Sequence, residues 1–373
     1  RKLCGSELES AASATTDRMV SFVDFPATAL SLAGCEIPEI LQGEPFLGQR
    51  IDPPRKFVFG ARSRADDMFE VSRSVFDGRY LYVKHFLPHV PYIQRSVIFA
   101  DRKDSMRELR RLHEGGLLND HARKLWSDTK PREELYDLSV DPFELENLAE
   151  DPSVLEQKES LAGALKSWIL HHRDSGFLPE SEYQIRSLQT ASTPFDVVQD
   201  PQQFDLDATL AVAWRVGDPR QAPTEMLSGF EHSDAGVRYW TAVALLSGYR
   251  AGLPGFDQRL LDGRAALIEK ELKDPSPCVR TAVSEWLIEA TDGRGSLCDK
   301  AFAGLSASLL DDRPWVALEA ASAAARLNEK ATPLVPVMKQ VVNKNRSEPG
   351  SKRPYKDFNY ASFTGWALET ALS

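Results

Sequence analysis

Two arginines and two carboxylates stand close together in Gly60-Ala61-Arg62-Ser63-Arg64-Ala65-Asp66-Asp67. A guanidinium is a planar fork of N–H donors that matches the oxygens of an oxyanion, and a carboxylate accepts from hydroxyls. These four side chains also suit a surface salt-bridge cluster, and both readings stay open. His85 and His89 flank Pro88, close downstream. The chain has four cysteines, Cys4, Cys35, Cys278 and Cys298, none at the C-x-x-C spacing of a zinc site. Cys278 and Cys298 read as buried core thiols. His171-His172 ends a helical pattern, where the helix dipole favours a partly protonated imidazole over a metal-binding role.

The elements that must position these groups change in character along the chain. Arg1 to Thr16 reads as a polar loop with no charged-then-apolar leader pattern, so the start is a processing site or a truncation. Met19 to Ala33 is strongly apolar, with Thr15, Thr16 or Asp17 able to cap it and Gly34 able to end it. Pro26 predicts a kink or break there. Lys56–Gly60 is a strand candidate. Arg73 to Val83 carries Asp77-Gly78 between β-formers, which predicts a hairpin with a type I′ turn. Arg73, Arg79, Tyr80 and Tyr82 on this hairpin read as cross-strand packing residues. Asp101 to Glu114 is a charged helix with a sparse apolar stripe, and its mixed charges suit a solvated face. Glu134 to Leu138 is a short strand. Asp141 and Asn147 follow it as turn and cap formers. Ser153 to His172 is an amphipathic helix with Leu155, Leu161, Leu165 and Ile169 on one face.

Residues 177–205 are rich in Ser, Pro, Gln and Asp and read as loop. From Leu206 every strong pattern is helical. Three segments resemble one another, beginning at Asp234, Asp274 and Asp311, with aligned Val237, Val279 and Val316. The first two continue Val-Arg, and the third has Ala317 where Arg would stand. The period fits two-helix solenoid repeats and looks like HEAT repeats.

The bulk properties exclude some classes. The chain has 373 residues and a net charge of −10, so a nucleic-acid partner held by phosphate contacts is disfavoured. Hydrophobic residues make up 42% and charged residues 27%, as in globular proteins, and no apolar run is long enough to span a bilayer.

Two stretches carry a family resemblance. The first is Met19-Val-Ser-Phe-Val-Asp24-Phe-Pro26-Ala-Thr28-Ala-Leu-Ser-Leu-Ala-Gly34, followed by Pro38, Gln42 and Gly43. The second is Glu133-Glu134-Leu135-Tyr136-Asp137-Leu138 with Asp141-Pro142-Phe143-Glu144-Leu145-Glu146-Asn147-Leu148-Ala149. Both are similar to segments of the C-terminal part of sulfatases, in the heparan N-sulfatase-like branch of the alkaline-phosphatase-like superfamily. Arg73 to Phe86 resembles a hairpin of the same family. The resemblance covers roughly residues 1–180.

It implies an α+β fold: residues 1–65 as the end of an α/β core, and 66–180 as a C-terminal subdomain with a small antiparallel sheet and a packed helix. A linker at 181–205 and an all-α, HEAT-like solenoid over 206–373 follow. It implies a hydrolase of sulfate esters or N-sulfates whose formylglycine, made from a Cys or Ser in C-x-[PA]-S-R, attacks sulfur beside a calcium ion. No cysteine here stands in that motif: Cys4 precedes Gly-Ser-Glu, Cys35 Glu-Ile-Pro, Cys278 Val-Arg-Thr and Cys298 Asp-Lys-Ala. The family's N-terminal calcium-ligand Asp pair is missing as well. No catalytic or metal role is therefore carried over, and calcium is expected only in a full-length parent. The residues left to the site wall are Arg62, Arg64, Asp66, Asp67 and His85, facing a sulfated carbohydrate. Two alternatives remain: a non-catalytic repeat protein with a sulfatase remnant, and a phosphate or phosphonate monoester hydrolase of the same superfamily. The repeats suggest a protein partner, and the resemblance suggests a periplasmic or secreted protein.

Overall fold

The computed structural model describes residues 16–65, 68–94, 103–347 and 358–372. They divide into two compact units, one formed by residues up to 61 with 73–84 and 133–167, the other by 62–72, 85–132 and 168 onward.

The first unit is built on a four-stranded antiparallel sheet in the order β1 (Val58–Arg62), β2 (Ser72–Phe76), β3 (Tyr80–His85), β4 (Glu133–Asp137). β3 and β4 run antiparallel with Tyr82 opposite Leu135. The sheet buries Val75, Tyr82 and Leu135 completely, and with them the polar Arg73, Lys84 and Glu134. The hairpin turn differs from the type I′ expectation. Asp77 N–H donates to Tyr80 O, so Gly78-Arg79 is the two-residue loop, and Gly78 takes φ +101°. Glycine supplies the positive φ at the first central position. The Asp77 carboxylate, freed from the loop, accepts from the backbone of Arg79 and Tyr80. Asn147 and Asp141 satisfy backbone as the sequence suggests. Asn147 Oδ1 accepts from Leu135 and Ala149 N–H, and Asp141 accepts from Leu145 and Glu146 N–H.

Helix α1 (Asp24–Ala33) starts later than its apolar run, so Pro26 falls in the first turn and breaks nothing. No side chain caps it at Val23, and Gly34 closes it at φ +69°. Its buried face is the polar one: Asp24, Ala27, Thr28 and Ser31. These residues hold the following loop. Asp24 accepts from Ser21 and Glu44 N–H and from the Arg55 guanidinium. Burial alone would raise the Asp24 carboxyl, but these donors hold it below its ordinary value. Thr28 Oγ1 accepts from Phe46 N–H at 3.2 Å, and Ser31 Oγ both accepts from and donates to the Arg50 backbone. Gly43 is needed because a Cβ there would meet Val23 O at 1.9 Å.

The second unit is mainly helical. It contains α2 (Asp104–Glu114) and α3 (Asp120–Lys124), neither with a fully buried residue. Helix α4 (Leu155–His171), most of which belongs to the first unit, buries Leu161, Leu165 and Ile169. The stretch read as loop and linker holds two helices, α5 (Glu180–Thr190) and α6 (Pro194–Gln199). Then come α7 (Leu206–Ala213), α8 (Pro223–Met226), α9 (Ala235–Arg250), α10 (Ala265–Glu271), α11 (Pro277–Ala290), α12 (Ser296–Leu309), α13 (Pro314–Arg326), α14 (Val335–Ser347) and α15 (Phe358–Leu372). Helices α9, α11, α13 and α15 are successive neighbours. Val237, Val279 and Val316, the aligned valines, are all buried.

The recurring Asp has a structural use. Asp234 caps α9, while Asp274 and Asp311 fold the turn just before α11 and α13. Each of the first two is clasped by an Arg from an earlier helix: Arg186 of α5 reaches Asp234, and Arg238 of α9 reaches Asp274 at 2.6 and 3.1 Å. Arg238 of the first Val-Arg pair thus ties α9 to the turn before α11, whereas Arg280 of the second donates to the carbonyls of Asp274 and Pro275 just before its own helix.

Candidate functional site

Arg62 ends β1 and is exposed, its Nη2 2.9 Å from Met68 Sδ. Arg64 is engaged. Its Nε and Nη2 donate to Glu180 at 2.5 and 3.0 Å, and its guanidinium lies 5.0 Å from the Tyr360 ring centre. The Tyr360 hydroxyl donates to the same carboxylate. Asp66 and Asp67 lie outside the described residues. His85 ends β3 and is buried, its ring edge-on to Tyr92 at 5.6 Å. Tyr92 also carries Lys130 over its face at 5.5 Å, and Lys130 is buried in an ion pair with Glu70. Arg64 and His85 are therefore held by different sets of partners.

A second polar cluster lies deeper, around a cavity of about 30 Å³. At roughly 10–15 Å³ per water this holds about two. His89, Tyr239, Cys278, Thr281, Glu285, Glu319 and Arg326 supply its polar lining. Arg326 donates to Glu285 at 2.8 and 2.6 Å, and Arg250 to Glu289 at 2.7 Å. Glu319 accepts from the N–H and hydroxyl of Ser181 at 3.1 and 2.7 Å, which seats the first turn of α5 on α13.

Burial sets the protonation here. It lifts the Glu319 carboxyl to about 7 against the two Ser181 donors, with Glu180 and Glu182 adding to the rise. It holds the His89 imidazole well below its ordinary range, helped by Arg250, Arg326 and Lys130. It pushes the Cys278 thiol up. His89 Nδ1 is buried and has no hydrogen-bond partner among the described residues. A neutral imidazole and an un-ionised thiol make a recess without an activated nucleophile. Among the described residues no three or more His, Cys, Asp and Glu side chains gather as a metal site would need.

The sequence marked His89 beside His85 but missed its companions. The signal was present: Glu285, Glu289 and Glu319 are lone acids inside otherwise apolar helical runs. A carboxylate in such a place requires a buried partner.

No protein-family model matches the chain. Over 184 residues, 49% of this chain, it is 37% identical to an ulvan-active sulfatase of Formosa agariphila. A second ulvan-active sulfatase of that organism is 28% identical over 163 residues, 42% of this chain. About half of the chain is sulfatase-related. The matches span about 30% of the length of each curated relative. No helix among the described residues is long and apolar enough to cross a membrane.

Proposed function

We propose that this chain is the C-terminal portion of a sulfatase acting on a sulfated carbohydrate, and that a formylglycine and a calcium site are supplied by another part of the protein. The observation that carries the reading is the 37% identity over 184 residues to an ulvan-active sulfatase. In this reading Arg62, Arg64, Asp66, Asp67 and His85 belong to the wall of the site. Arg62, exposed at the end of β1, is the direct sulfate contact, and Arg64 positions the loop through Glu180. The helices from Leu206 onward form HEAT-like repeats that extend a contact surface for a protein or polysaccharide. Export to the periplasm or medium fits a sulfatase of polymeric carbohydrate.

The expected outcome is that purified 1–373 will release no sulfate from an aryl sulfate or a sulfated polysaccharide, with or without added calcium. Calcium-dependent release by this chain alone would overturn the assignment of catalysis elsewhere.

A further inference from the structure

The loop that follows β1 is fastened at three points. Arg64 gives Nε and Nη2 to the Glu180 carboxylate at 2.5 and 3.0 Å, and its guanidinium faces the Tyr360 ring at 5.0 Å. Both partners of this ion pair are largely withdrawn from solvent, their side chains 20% and 17% exposed. Glu180 opens α5, where the helix dipole favours a carboxylate. The hydroxyls of Tyr183 and Tyr360 also bond to it. The next residue, Ser181, is seated on Glu319 of α13 through its N–H and its hydroxyl. Beyond Arg64, Ala65 and Met68 exchange backbone hydrogen bonds of 3.0 and 2.9 Å, which close the turn. Phe69 comes next. Gln94 bonds to its N–H and its carbonyl, and the Arg326 guanidinium stands over its ring at 5.9 Å. A two-pronged contact to a carboxylate uses the same edge of the guanidinium that would grip a sulfate, so Arg64 is committed to the protein. Arg62 is exposed and only two residues upstream, a span of at most about 7 Å of extended chain. Fixing Arg64 therefore limits where Arg62 can reach.

We propose that Glu180 and Tyr360 are positioning residues for sulfate binding: by holding Arg64 they hold Arg62 against the sulfate of the substrate. The C-terminal helix α15, which carries Tyr360, then sets substrate affinity without touching the substrate. The proposal rests on the sulfatase reading given above. It goes beyond that reading by giving α5, α13 and α15 a part in the site itself, in addition to a contact surface. Tyr360 acts through Glu180, because its hydroxyl bonds to the carboxylate that Arg64 grips.

The test is steady-state sulfate release by the product of the uninterrupted reading frame that contains this chain, with a digest of a sulfated polysaccharide as substrate. Glu180→Ala is expected to raise KM about tenfold or more and to change kcat by less than about twofold. Tyr360→Phe keeps the ring over Arg64 and removes only the hydroxyl. It should raise KM about threefold by itself and have no further effect on Glu180→Ala, whose side chain no longer accepts. Thr193→Ala removes the cap of α6 in the same unit and controls for lost stability alone. It should lower the thermal midpoint and leave KM unchanged. An active enzyme whose KM neither Glu180→Ala nor Tyr360→Phe moves overturns the positioning role and spares the sulfatase reading. So does a KM that rises as much in Thr193→Ala, because lost stability is then the cause. Should Glu180→Ala not fold, Tyr360→Phe decides: a fall in kcat at unchanged KM overturns the proposal, and the reverse split supports it. A protein that releases no sulfate overturns both readings.

Discussion

Replacing Glu319 with Gln should change how stability depends on pH. Glu319 sits on α13 and faces Ser181, Glu180, Glu182 and Tyr183 from the α5 region, with Tyr239 on α9, Cys278 on α11 and Arg326 on its own helix. Its carboxyl moves from an ordinary 4.5 to about 7 on folding. At about 1.4 kcal/mol per pH unit, this is worth about 3 kcal/mol. The sign follows from proton counts. Below pH 4.5 both the folded and the unfolded chain hold the proton, so there is no penalty. Between 4.5 and 7 the unfolded chain releases it while the folded chain keeps it, so stability falls as pH rises. Above 7 both are ionised and the loss is complete. Glu319→Gln does not titrate, so its unfolding free energy minus that of the parent should rise by about 3 kcal/mol from about pH 4.5 to about pH 8. The amide nitrogen of Gln needs a partner and shifts the whole difference by about 1–3 kcal/mol, without altering its slope. Urea unfolding followed by tryptophan emission measures this, since Trp240 and Trp286 are buried in the same unit. A difference that stays flat within about 1 kcal/mol over that range would refute the reasoning.

Three other outcomes are expected. Arg238→Ala leaves the buried Asp274 carboxylate without its clasp and should cost about 3–5 kcal/mol in urea unfolding, and Arg238→Lys should not restore the two-pronged contact. Gly43→Ala forces a methyl onto the Val23 carbonyl and should lower the thermal midpoint by several degrees, with α1 and its loop the first segment to become protease-sensitive. Of the three described thiols, exposed Cys35 should react with a thiol reagent in the native protein, while buried Cys278 and Cys298 should react only in denaturant.

The sequence made much of the sheet legible because its information is local. The Asp77-Gly78 pair, the alternation around it and the strand before Asp141 required no knowledge of distant residues. Helices α9, α11 and α13 were legible because apolar residues fill their lengths and an Asp precedes each. Helix α5 was not, because its buried residues are Ser181 and Glu182. It is fixed by Arg64–Glu180, Arg186–Asp234 and Ser181–Glu319, all bonds to distant residues that apolar periodicity cannot register. Helix α6 had a readable start, the capping box of Thr193 and Asp196 with Pro194 at the first position, lost among polar neighbours. The inverted burial of α1 was hidden for a related reason. Its apolar residues promised a core face, whereas Asp24, Thr28 and Ser31 hold loop backbone more than fifteen residues away. Arg62 and Arg64 were legible as a charged loop, but not the commitment of Arg64 to Glu180.

The order of the sheet sets a timetable for the nascent chain. β1, β2 and β3 emerge together, but β4, which must close the open side of β3, lies beyond residues 86–132. At roughly 5–20 residues per second, translation leaves that edge uncovered for about 2–10 s. Throughout that interval the run Tyr80-Leu81-Tyr82-Val83 is a template to which any neighbouring polypeptide can add a strand. Arg79 and Lys84 stand at its two ends, where like charges on adjacent ribosomes' products repel one another until Glu133 to Asp137 arrives.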